Sequence, residues 1–429
     1  MQHSQSPLLK DLASLVRYAR QYSAYYSNLY RNLPQNGWQL CDLPLIDAGD
    51  YWQMPQGLHA WPVLTGPIAG AHLFKTGGTT GSGKVSVYTR EEWRSFVATF
   101  GRGLSTLLQP GDRVANLFFA GDLYASLLFI HGALAHTEVP VCEYPFAGAV
   151  APETLANAVR AYDLNVLASV PAQLLRIASY LAQRGETLLQ PRAILYGGES
   201  LFAEQLALLK QVFPNARCRS IGYASVDGGL LGASTLDCQL GEHRCFDRDT
   251  IIEIIDEETS LPIEEAGRSG MLVLTSMQRR LMPLIRYPSG DLASWVEAPG
   301  TPQRKFVLQG RSSLGHRVRV GSFISIFPND IEASIHQHVG ACSWQLQIDH
   351  INGTDLLTIR LAQPTDASAL DELRSSLLAQ HSGMVGLIDE GRMQLAFEIC
   401  DNAGLTLHPR TGKLPRVLDR RNYQAEETA

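Results

Sequence analysis

A stretch rich in glycine and hydroxyl side chains occupies residues 75–84 and ends in a lysine. Glycines let backbone N–H groups approach an anion closely, hydroxyl groups supply further donors, and lysine neutralises negative charge. The stretch is not a Walker A loop, because Val85 stands where that motif needs serine or threonine. Taken alone, it fits a phosphate cradle or a plain turn equally well. The candidate phosphate-binding residues are Thr76, Gly77, Gly78, Thr79, Thr80, Gly81 and Lys84.

Further short motifs combine glycine, tyrosine and charged residues along the rest of the chain. They occupy residues 196–200, 221–227, 282–292, 310–311, 327–332 and 412–413. In this order they resemble the adenylate-forming superfamily of acyl-CoA synthetases and adenylation domains, in particular its phenylacetate-CoA ligase branch. The likeness also covers residues 240–243 and 253–256 and the N-terminal aromatic helix, so it spans nearly the whole chain. Each motif is weak by itself, whereas the ordered set is strong.

This resemblance implies ATP-dependent activation of a carboxylic acid as acyl-AMP, with release of pyrophosphate. The residues 75–84 would then cradle the β- and γ-phosphates. Lys413 would reach the carboxylate and the α-phosphate as negative charge builds in the transition state, with Lys84 as the second catalytic cation. The remaining ATP-binding residues that the resemblance implies are Gly198, Glu199 and Ser200 beside the adenine, Tyr223 on its other face, and Asp291 and Arg311 near the ribose.

Several of these residues also fit ordinary structural roles. Asp291 suits a turn, Tyr223 a core position, Lys413 a solvated surface, and Glu199 the start of a helix. The ordered motifs favour a functional role for the first three and leave the Glu199 side chain open.

Magnesium is the metal that the resemblance implies, bridging phosphate oxygens, with Asp227 and Thr80 as protein ligands. The family usually has glutamate where this chain has Asp227, which is shorter by one methylene. Pro288 replaces an arginine of the family's ribose motif, and residues 312–316 lack its acidic hinge. The altered hinge leaves adenylation as the expected step and leaves thioester formation open.

The acid pocket is expected between the core sheet and the lid. Aromatic walls favour a flat aryl or arylacetic acid, although such rings are as common in a hydrophobic core. The first hypothesis is an aryl-acid:CoA ligase that passes the acyl group to CoA. The alternative is transfer to an amine or a carrier protein within secondary metabolism such as antibiotic biosynthesis. A catalytically weak homologue is a third hypothesis, which the retained Lys84, Asp291 and Lys413 oppose. The predicted pocket residues are Phe119, Tyr124, Tyr196, Gly197 and Ala224.

The elements that must position these residues follow from the hydrophobic pattern. Between residues 62 and 294, short apolar or β-branched runs alternate with helical stretches, which predicts a parallel α/β sheet. The expected fold is a large α/β N-terminal domain with parallel sheets and a smaller β-subdomain, plus a small mobile α+β C-terminal lid domain. The boundary is predicted at Gly310, giving an adenylation domain over residues 1–310 and a lid over 311–429. The predicted elements are a helical N-terminus at 8–33; strands at 113–119, 139–143, 166–169, 193–196, 253–255, 270–274, 292–295, 344–350, 355–362 and 393–399; and helices at 124–135, 152–162, 171–182, 204–212, 328–337 and 367–380.

Composition narrows the class of protein further. The 429 residues are 45% apolar and 18% charged with a net charge of −6, and no basic stripe for nucleic acid is present. The N-terminus lacks the order of a signal peptide, and the apolar run at 114–141 is interrupted by Asp122, His131 and His136. These histidines are expected as core or pocket residues, and the seven scattered cysteines as reduced thiols. We expect a cytoplasmic protein without a membrane partner, and a homodimer is left open.

Overall fold

The computed structural model describes residues 7–54, 57–76, 84–198, 201, 203–257, 259–311, 318–320, 324–326, 328–351, 354–407 and 412–420. Residues 312–316, where the altered hinge is predicted, lie outside these ranges. The predicted site residues that also lie outside them are Gly77, Gly78, Thr79, Thr80, Gly81, Glu199 and Ser200, together with the side chain of Arg311.

From residue 7 onward, the described N-terminal segment contains three α-helices. These are α1 (Pro7–Tyr22), α2 (Ala24–Leu29) and α3 (Ala48–Tyr51). The predicted continuous helix over residues 8–33 is therefore wrong, since it is interrupted at Ser23. The Ser23 hydroxyl accepts a hydrogen bond from the Tyr26 N–H and donates one to the Pro62 carbonyl. A serine in this position satisfies a free N–H group at a helix start, which favours a new helix there.

A hairpin and a helix that the sequence pattern did not indicate precede the parallel sheet. The hairpin pairs β1 (Ala71–Lys75) with β2 (Val85–Thr89), and it brings Lys75 opposite Val85. The helix α4 (Arg90–Leu104) begins with a capping box, in which Thr89 and Glu92 exchange side-chain-to-backbone hydrogen bonds.

The predicted parallel sheet is confirmed as five strands in the order β4-β3-β5-β6-β7. Helices follow four of the strands, and apolar side chains from alternate positions are buried on both faces. The first predicted strand is shorter than expected and ends at Asn116. The elements are β3 (Arg113–Asn116), α5 (Ser126–Leu134), β4 (Cys142–Pro145), α6 (Pro152–Ala161), β5 (Val166–Ser169), α7 (Pro171–Gln183), β6 (Ala193–Tyr196), α8 (Ala203–Val212) and β7 (Arg217–Ser220).

A second sheet contains seven antiparallel strands in the order β11-β12-β13-β14-β10-β9-β8. Three of its strands were predicted, and the others are short or contain glycine, so their alternation is weak. The N-terminal helices pack on this sheet in one hydrophobic cluster. The strands are β8 (Tyr223–Ser225), β9 (Gly229–Ala233), β10 (Glu242–Cys245), β11 (Thr250–Ile255), β12 (Ser269–Ser276), β13 (Tyr287–Trp295) and β14 (Lys305–Arg311).

The C-terminal part is a small α+β unit with its own hydrophobic cluster around Trp344. Its main sheet has the order β19-β18-β17-β20, and the predicted strands and helices are all present. The additional elements are a two-stranded sheet, a short helix and an edge strand that pairs in parallel with β17. The elements are β15 (Val318–Val320), β16 (Ile324–Ile326), α9 (Pro328–His338), β17 (Trp344–Ile351), β18 (Thr354–Leu361), α10 (Ala367–Gln380), α11 (Ser382–Asp389), β19 (Met393–Ile399) and β20 (Val417–Asp419).

Within the described ranges, no helix has both the length and the hydrophobicity needed to cross a bilayer. The seven cysteines all lie in described parts of the chain, and none of them is paired with another. His131 and His136 are exposed on and after α5, so the expectation that they are core or pocket residues is wrong. His136 follows the end of α5, and His131 contacts the Glu143 carboxylate of β4 at 2.7 Å.

Candidate active site

The predicted phosphate loop is held at its two ends by the β1–β2 hairpin. The Thr76 N–H donates to the Lys84 carbonyl, and the Lys84 N–H donates to the Thr76 hydroxyl, both at 2.9 Å. The Lys75 N–H also donates to the carbonyl of Leu123, which lies in the turn after β3. The hairpin therefore brings both ends of the loop to the carboxyl edge of the parallel sheet, where α/β proteins usually bind ligands.

The Lys84 side chain contacts a carboxylate in the turn between β8 and β9 and a phenol at the start of β13. Its ammonium lies 3.1 Å from a carboxylate oxygen of Asp227 and 2.6 Å from the Tyr287 hydroxyl. The Tyr287 hydroxyl donates to the same oxygen of Asp227 at 2.8 Å. The ammonium also lies 5.5 Å from the centre of the Trp52 ring, within range of a cation–π interaction.

The protonation states of this cluster follow from its burial and charges. Burial raises the pKa of Asp227, but the Lys84 charge and the hydrogen bonds from Tyr287 and Lys84 outweigh it and hold the pKa below its ordinary value. Burial, then the charge of Asp227, raise the pKa of Tyr287 far above its ordinary range. At neutral pH Asp227 is therefore a carboxylate, and Tyr287 is a neutral phenol that donates to it.

A glycine pair after β6 meets the C-terminal part of the chain. A Cβ atom on Gly197 would lie 2.6 Å from Ile221, and Gly198 has φ of +84°, a conformation that favours glycine. A Cβ on Gly198 would lie 2.9 Å from Cε and 3.4 Å from Nζ of Lys413. Lys413 therefore lies directly against the backbone of this turn, with its ammonium at the carboxyl end of β6.

Tyr223 and Asp291 are brought together from two strands of the second sheet. The Tyr223 hydroxyl donates to a carboxylate oxygen of Asp291, and the Tyr223 ring lies 5.6 Å from that of His243 and 6.3 Å from that of Phe306. Asp291 is the direct cross-strand neighbour of Arg311 in the β13–β14 pairing. Of the residues predicted to contact the nucleoside, two thus meet through their side chains, and the backbone of a third lies opposite one of them in the second sheet.

The predicted acid-pocket residues divide between the two faces of the parallel sheet. Phe119, Tyr124 and Ala224 pack in one hydrophobic cluster, whereas Tyr196 packs in the cluster on the other face. The cause is the alternation of side chains along β6, which turns Tyr196 away from the neighbours of Leu195. The structure does not bring Tyr196 together with the other aromatic residues.

Arg286, one residue before Tyr287, is buried together with an acidic partner. Its Nε donates to a Glu253 carboxylate oxygen at 3.0 Å, and only 4% and 7% of the two side chains are exposed. Its Nη1 donates to the carbonyls of Leu43 and Cys41 at 2.5 and 3.3 Å. Arg286 therefore joins the antiparallel sheet to the segment before α3, which accounts for an arginine at this position without a ligand.

Two residues that contact Lys84 were not identified from the sequence. Tyr287 lies inside the motif at residues 282–292, but only its contact with Asp227 assigns it a role. Trp52 has no local sequence signal, because its position over Lys84 arises from the packing of the N-terminal segment. No group of three or more histidine, cysteine or acidic residues that would hold a metal occurs among the described residues.

Comparison with known proteins agrees with this architecture. No protein-family model matches the chain. It is 27% identical to phenylacetate-coenzyme A ligase of Thermus thermophilus, over 96% of this chain and 95% of that protein. It is also 27% identical to indoleacetate–lysine synthetase of Pseudomonas savastanoi over 43% of each chain. The fold is similar to that of 2-hydroxyisobutyryl-CoA ligase in its postadenylation state, with a TM-score of 0.69, 18% identity, and coverage of 97% of this chain and 89% of that one.

The two-sheet core with a small C-terminal α+β unit, and the ordered motifs that it brings together, define a protein of the adenylate-forming superfamily. Within that superfamily, the chain is similar along nearly its whole length to the phenylacetate-coenzyme A ligase of Thermus thermophilus, and over 61% of its length to that of Pseudomonas putida.

Proposed function

We propose that the protein activates a carboxylic acid with ATP, forming an acyl adenylate and pyrophosphate. The observation that carries this proposal is the contact of Lys413 with Gly198, since it brings a lysine from the C-terminal part to the carboxyl edge of the parallel sheet. A substrate carboxylate oxygen would attack the α-phosphorus of ATP. The bond from that phosphorus to the β-phosphate oxygen would break, and pyrophosphate would leave.

The residue roles follow from charge and position. Lys84 and the loop from Thr76 would hold the β- and γ-phosphates, and Lys413 would stabilise the charge that builds on the α-phosphate and the carboxylate. The proposed domains, 1–310 and 311–429, place Lys84 and Lys413 in different domains. In support of this boundary, β14 is the last strand of the second sheet along the chain, and it ends at Arg311. The proposed nucleoside contacts are Gly198, Glu199, Ser200, Tyr223, Asp291 and Arg311.

Magnesium fits the donor set as an ion held mainly by phosphate oxygens. Asp227 supplies one carboxylate, and Mg²⁺ commonly binds through one or two carboxylates together with substrate phosphates and water. The same carboxylate is paired with Lys84 at 3.1 Å, so metal and lysine would share it. When bound, the metal would neutralise phosphate charge, while Lys84 and Tyr287 orient the carboxylate.

Substitutions of Tyr223 can distinguish a role of its ring from a role of its hydroxyl group, which donates to Asp291. We expect Tyr223→Phe to keep or lower the KM for ATP, because it retains the ring and releases the Asp291 carboxylate for the ribose hydroxyls. Tyr223→Leu should raise the KM about tenfold, the scale of losing a base–aromatic stack. Initial-rate kinetics with varied ATP would distinguish them. An equal rise in both variants would assign the role to the hydroxyl group instead.

For the acid, we propose an aryl or arylacetic substrate, supported by the names of the relatives and by the aromatic cluster that contains Tyr124. For the acceptor we propose CoA, the acceptor in the name of the relative that spans the chain. The second candidate is an amine, which the name of the indoleacetate–lysine synthetase favours.

Acid-dependent exchange of labelled pyrophosphate into ATP would test the activity. We expect exchange with at least one member of a panel of aryl, arylacetic and short aliphatic acids, and none without acid. Mass spectrometry of reactions that contain CoA or lysine would then identify the acceptor. If no acid in the panel supports exchange, the proposed function is contradicted. Exchange without a thioester, together with an amide product, would favour the amine.

A further inference from the structure

The ring of Phe119 is enclosed between the core and the C-terminal part of the chain. A Cβ on Gly148 would lie 2.0 Å from Phe119 Cε2, and a Cβ on Gly412 would lie 1.9 Å from the same atom. Both glycine backbones therefore touch the ring at distances that no other residue would allow. Gly412 directly precedes Lys413, whose side chain lies against Gly198.

The backbone of Phe119 is held by the start of α5. The Ser126 hydroxyl donates to the Phe119 carbonyl at 2.9 Å and accepts from the Phe119 N–H at 3.1 Å. The Leu127 N–H donates to the same carbonyl at 2.8 Å. Since only 9% of Phe119 is exposed, the ring is a fixed feature of the core rather than a mobile surface group.

A polar contact elsewhere joins the same two parts of the chain. The Gln205 amide nitrogen on α8 lies 2.7 Å from the Ser343 hydroxyl just before β17. By itself, such a polar contact would leave the C-terminal part free to pivot about it. The Phe119 contact supplies a further point close to Lys413, and two points restrict that rotation.

We infer that Phe119 is a positioning residue for the adenylation step: its ring sets where Gly412 docks and thereby where the Lys413 ammonium lies. This inference rests on the proposed function. It assigns to Phe119 a task that differs from lining the acid pocket, because the ring faces Gly148 and Gly412 rather than an open cavity.

A double-mutant cycle tests this inference. We expect Phe119→Ala to lower the maximal rate of pyrophosphate exchange by about 10- to 100-fold, the scale of misplacing a catalytic group by about 1 Å. The KM for the acid should change little. In a Lys413→Ala background the same substitution should have almost no further effect, because both act through one ammonium group. A rise in the acid KM at an unchanged maximal rate would overturn the inference in favour of a pocket wall.

A crowding variant and its rescue provide an independent check. Gly148→Ala would press a methyl group on the same ring from the core side and should also slow exchange. Adding Phe119→Leu should restore part of the rate, because leucine is shorter than phenylalanine. If the leucine variant fails to rescue Gly148→Ala while both proteins remain folded by circular dichroism, Phe119 does not position the docked residues.

Hydrogen exchange measured by mass spectrometry requires no activity. Peptides that contain Gly148 or Gly412 should exchange faster in Phe119→Ala than in the parent protein, whereas peptides from β17 and β18 should not change. Unchanged exchange at both glycines would overturn the docking role. If the parent protein activates no acid but the exchange difference appears, the proposed function fails and the docking contact stands.

Discussion

Lys413→Ala is expected to lower acid-dependent pyrophosphate exchange by about 10²-fold or more, a typical loss when one oriented electrostatic stabiliser is removed. The reason is geometric. The Lys413 side chain lies against Gly198, at the edge of the sheet to which the hairpin also brings Thr76 and Lys84. Its positive charge would stabilise the negative charge that develops on the α-phosphate as the carboxylate attacks. The KM for ATP should change much less than the maximal rate, because the charge matters most in the transition state.

A matched control separates this effect from a general change of surface charge. Lys210→Ala removes an exposed lysine near the end of α8 and should leave the exchange rate unchanged. Lys413→Arg keeps the charge but replaces a compact ammonium by a planar fork, and should recover only part of the rate. Exchange close to that of the parent protein in Lys413→Ala would remove Lys413 from the catalytic residues.

Arg286→Met is expected to destabilise the N-terminal part by about 3–5 kcal/mol, the cost of leaving one partner of a buried ion pair without its counter-charge. The Glu253 carboxylate would remain buried, and the carbonyls of Leu43 and Cys41 would lose their donor. Urea denaturation followed by tryptophan fluorescence would measure the loss as a lower midpoint. The affected transition should be that of the part that contains α3 and the antiparallel sheet.

The pH dependence of this variant gives a second readout. Burial raises the pKa of Glu253 above its unfolded value near 4.5, and Arg286 partly offsets that rise. Without the arginine the folded pKa rises further. A carboxyl with a raised folded pKa loses stability as the pH increases from its unfolded pKa to its folded pKa. The destabilisation of Arg286→Met should therefore be smaller at pH 5 than at pH 8.

An exposed ion pair provides the comparison. Arg392 lies 3.2 Å from Glu390, with 49% and 60% of the side chains exposed. Arg392→Met should cost less than about 1 kcal/mol, as solvent-exposed pairs generally do. The double variant Arg286→Met with Glu253→Leu should recover part of the stability, because no buried charge is left unpaired. Similar losses in Arg286→Met and Arg392→Met would contradict the assigned role of the buried pair.

The repeating elements of the fold were predictable because their signals are local. The helix at Pro171–Gln183 begins with proline and repeats apolar residues at helical spacing, and β5 before it is a short apolar run. In contrast, β9 consists of Gly, Leu and Ala and carries no alternation, so its place in the second sheet depends on partners elsewhere in the chain. The break at Ser23 also depended on a distant carbonyl, that of Pro62.

The residues of the candidate site likewise divide into those predicted from local motifs and those placed by tertiary packing. Lys84, Asp227, Asp291 and Lys413 were predicted from their residue types and from the order of the motifs that contain them. Trp52 was not predicted, since a tryptophan in the N-terminal segment has no reason to approach Lys84 until the aromatic cluster fixes that segment. Tyr196 was predicted as a pocket wall, yet strand alternation turns its side chain to the other face.

The sequence by itself determined the alternation of strands and helices, the chemical types at the site, and the superfamily that those types resemble. These depend on periodicity and on short motifs, which act over a few residues. Only the tertiary structure decided which groups meet: Lys84 with Asp227 and Tyr287, Tyr223 with Asp291, and Phe119 with Gly148 and Gly412. Such contacts join residues up to about three hundred positions apart, and they depend on how whole layers pack rather than on any local preference.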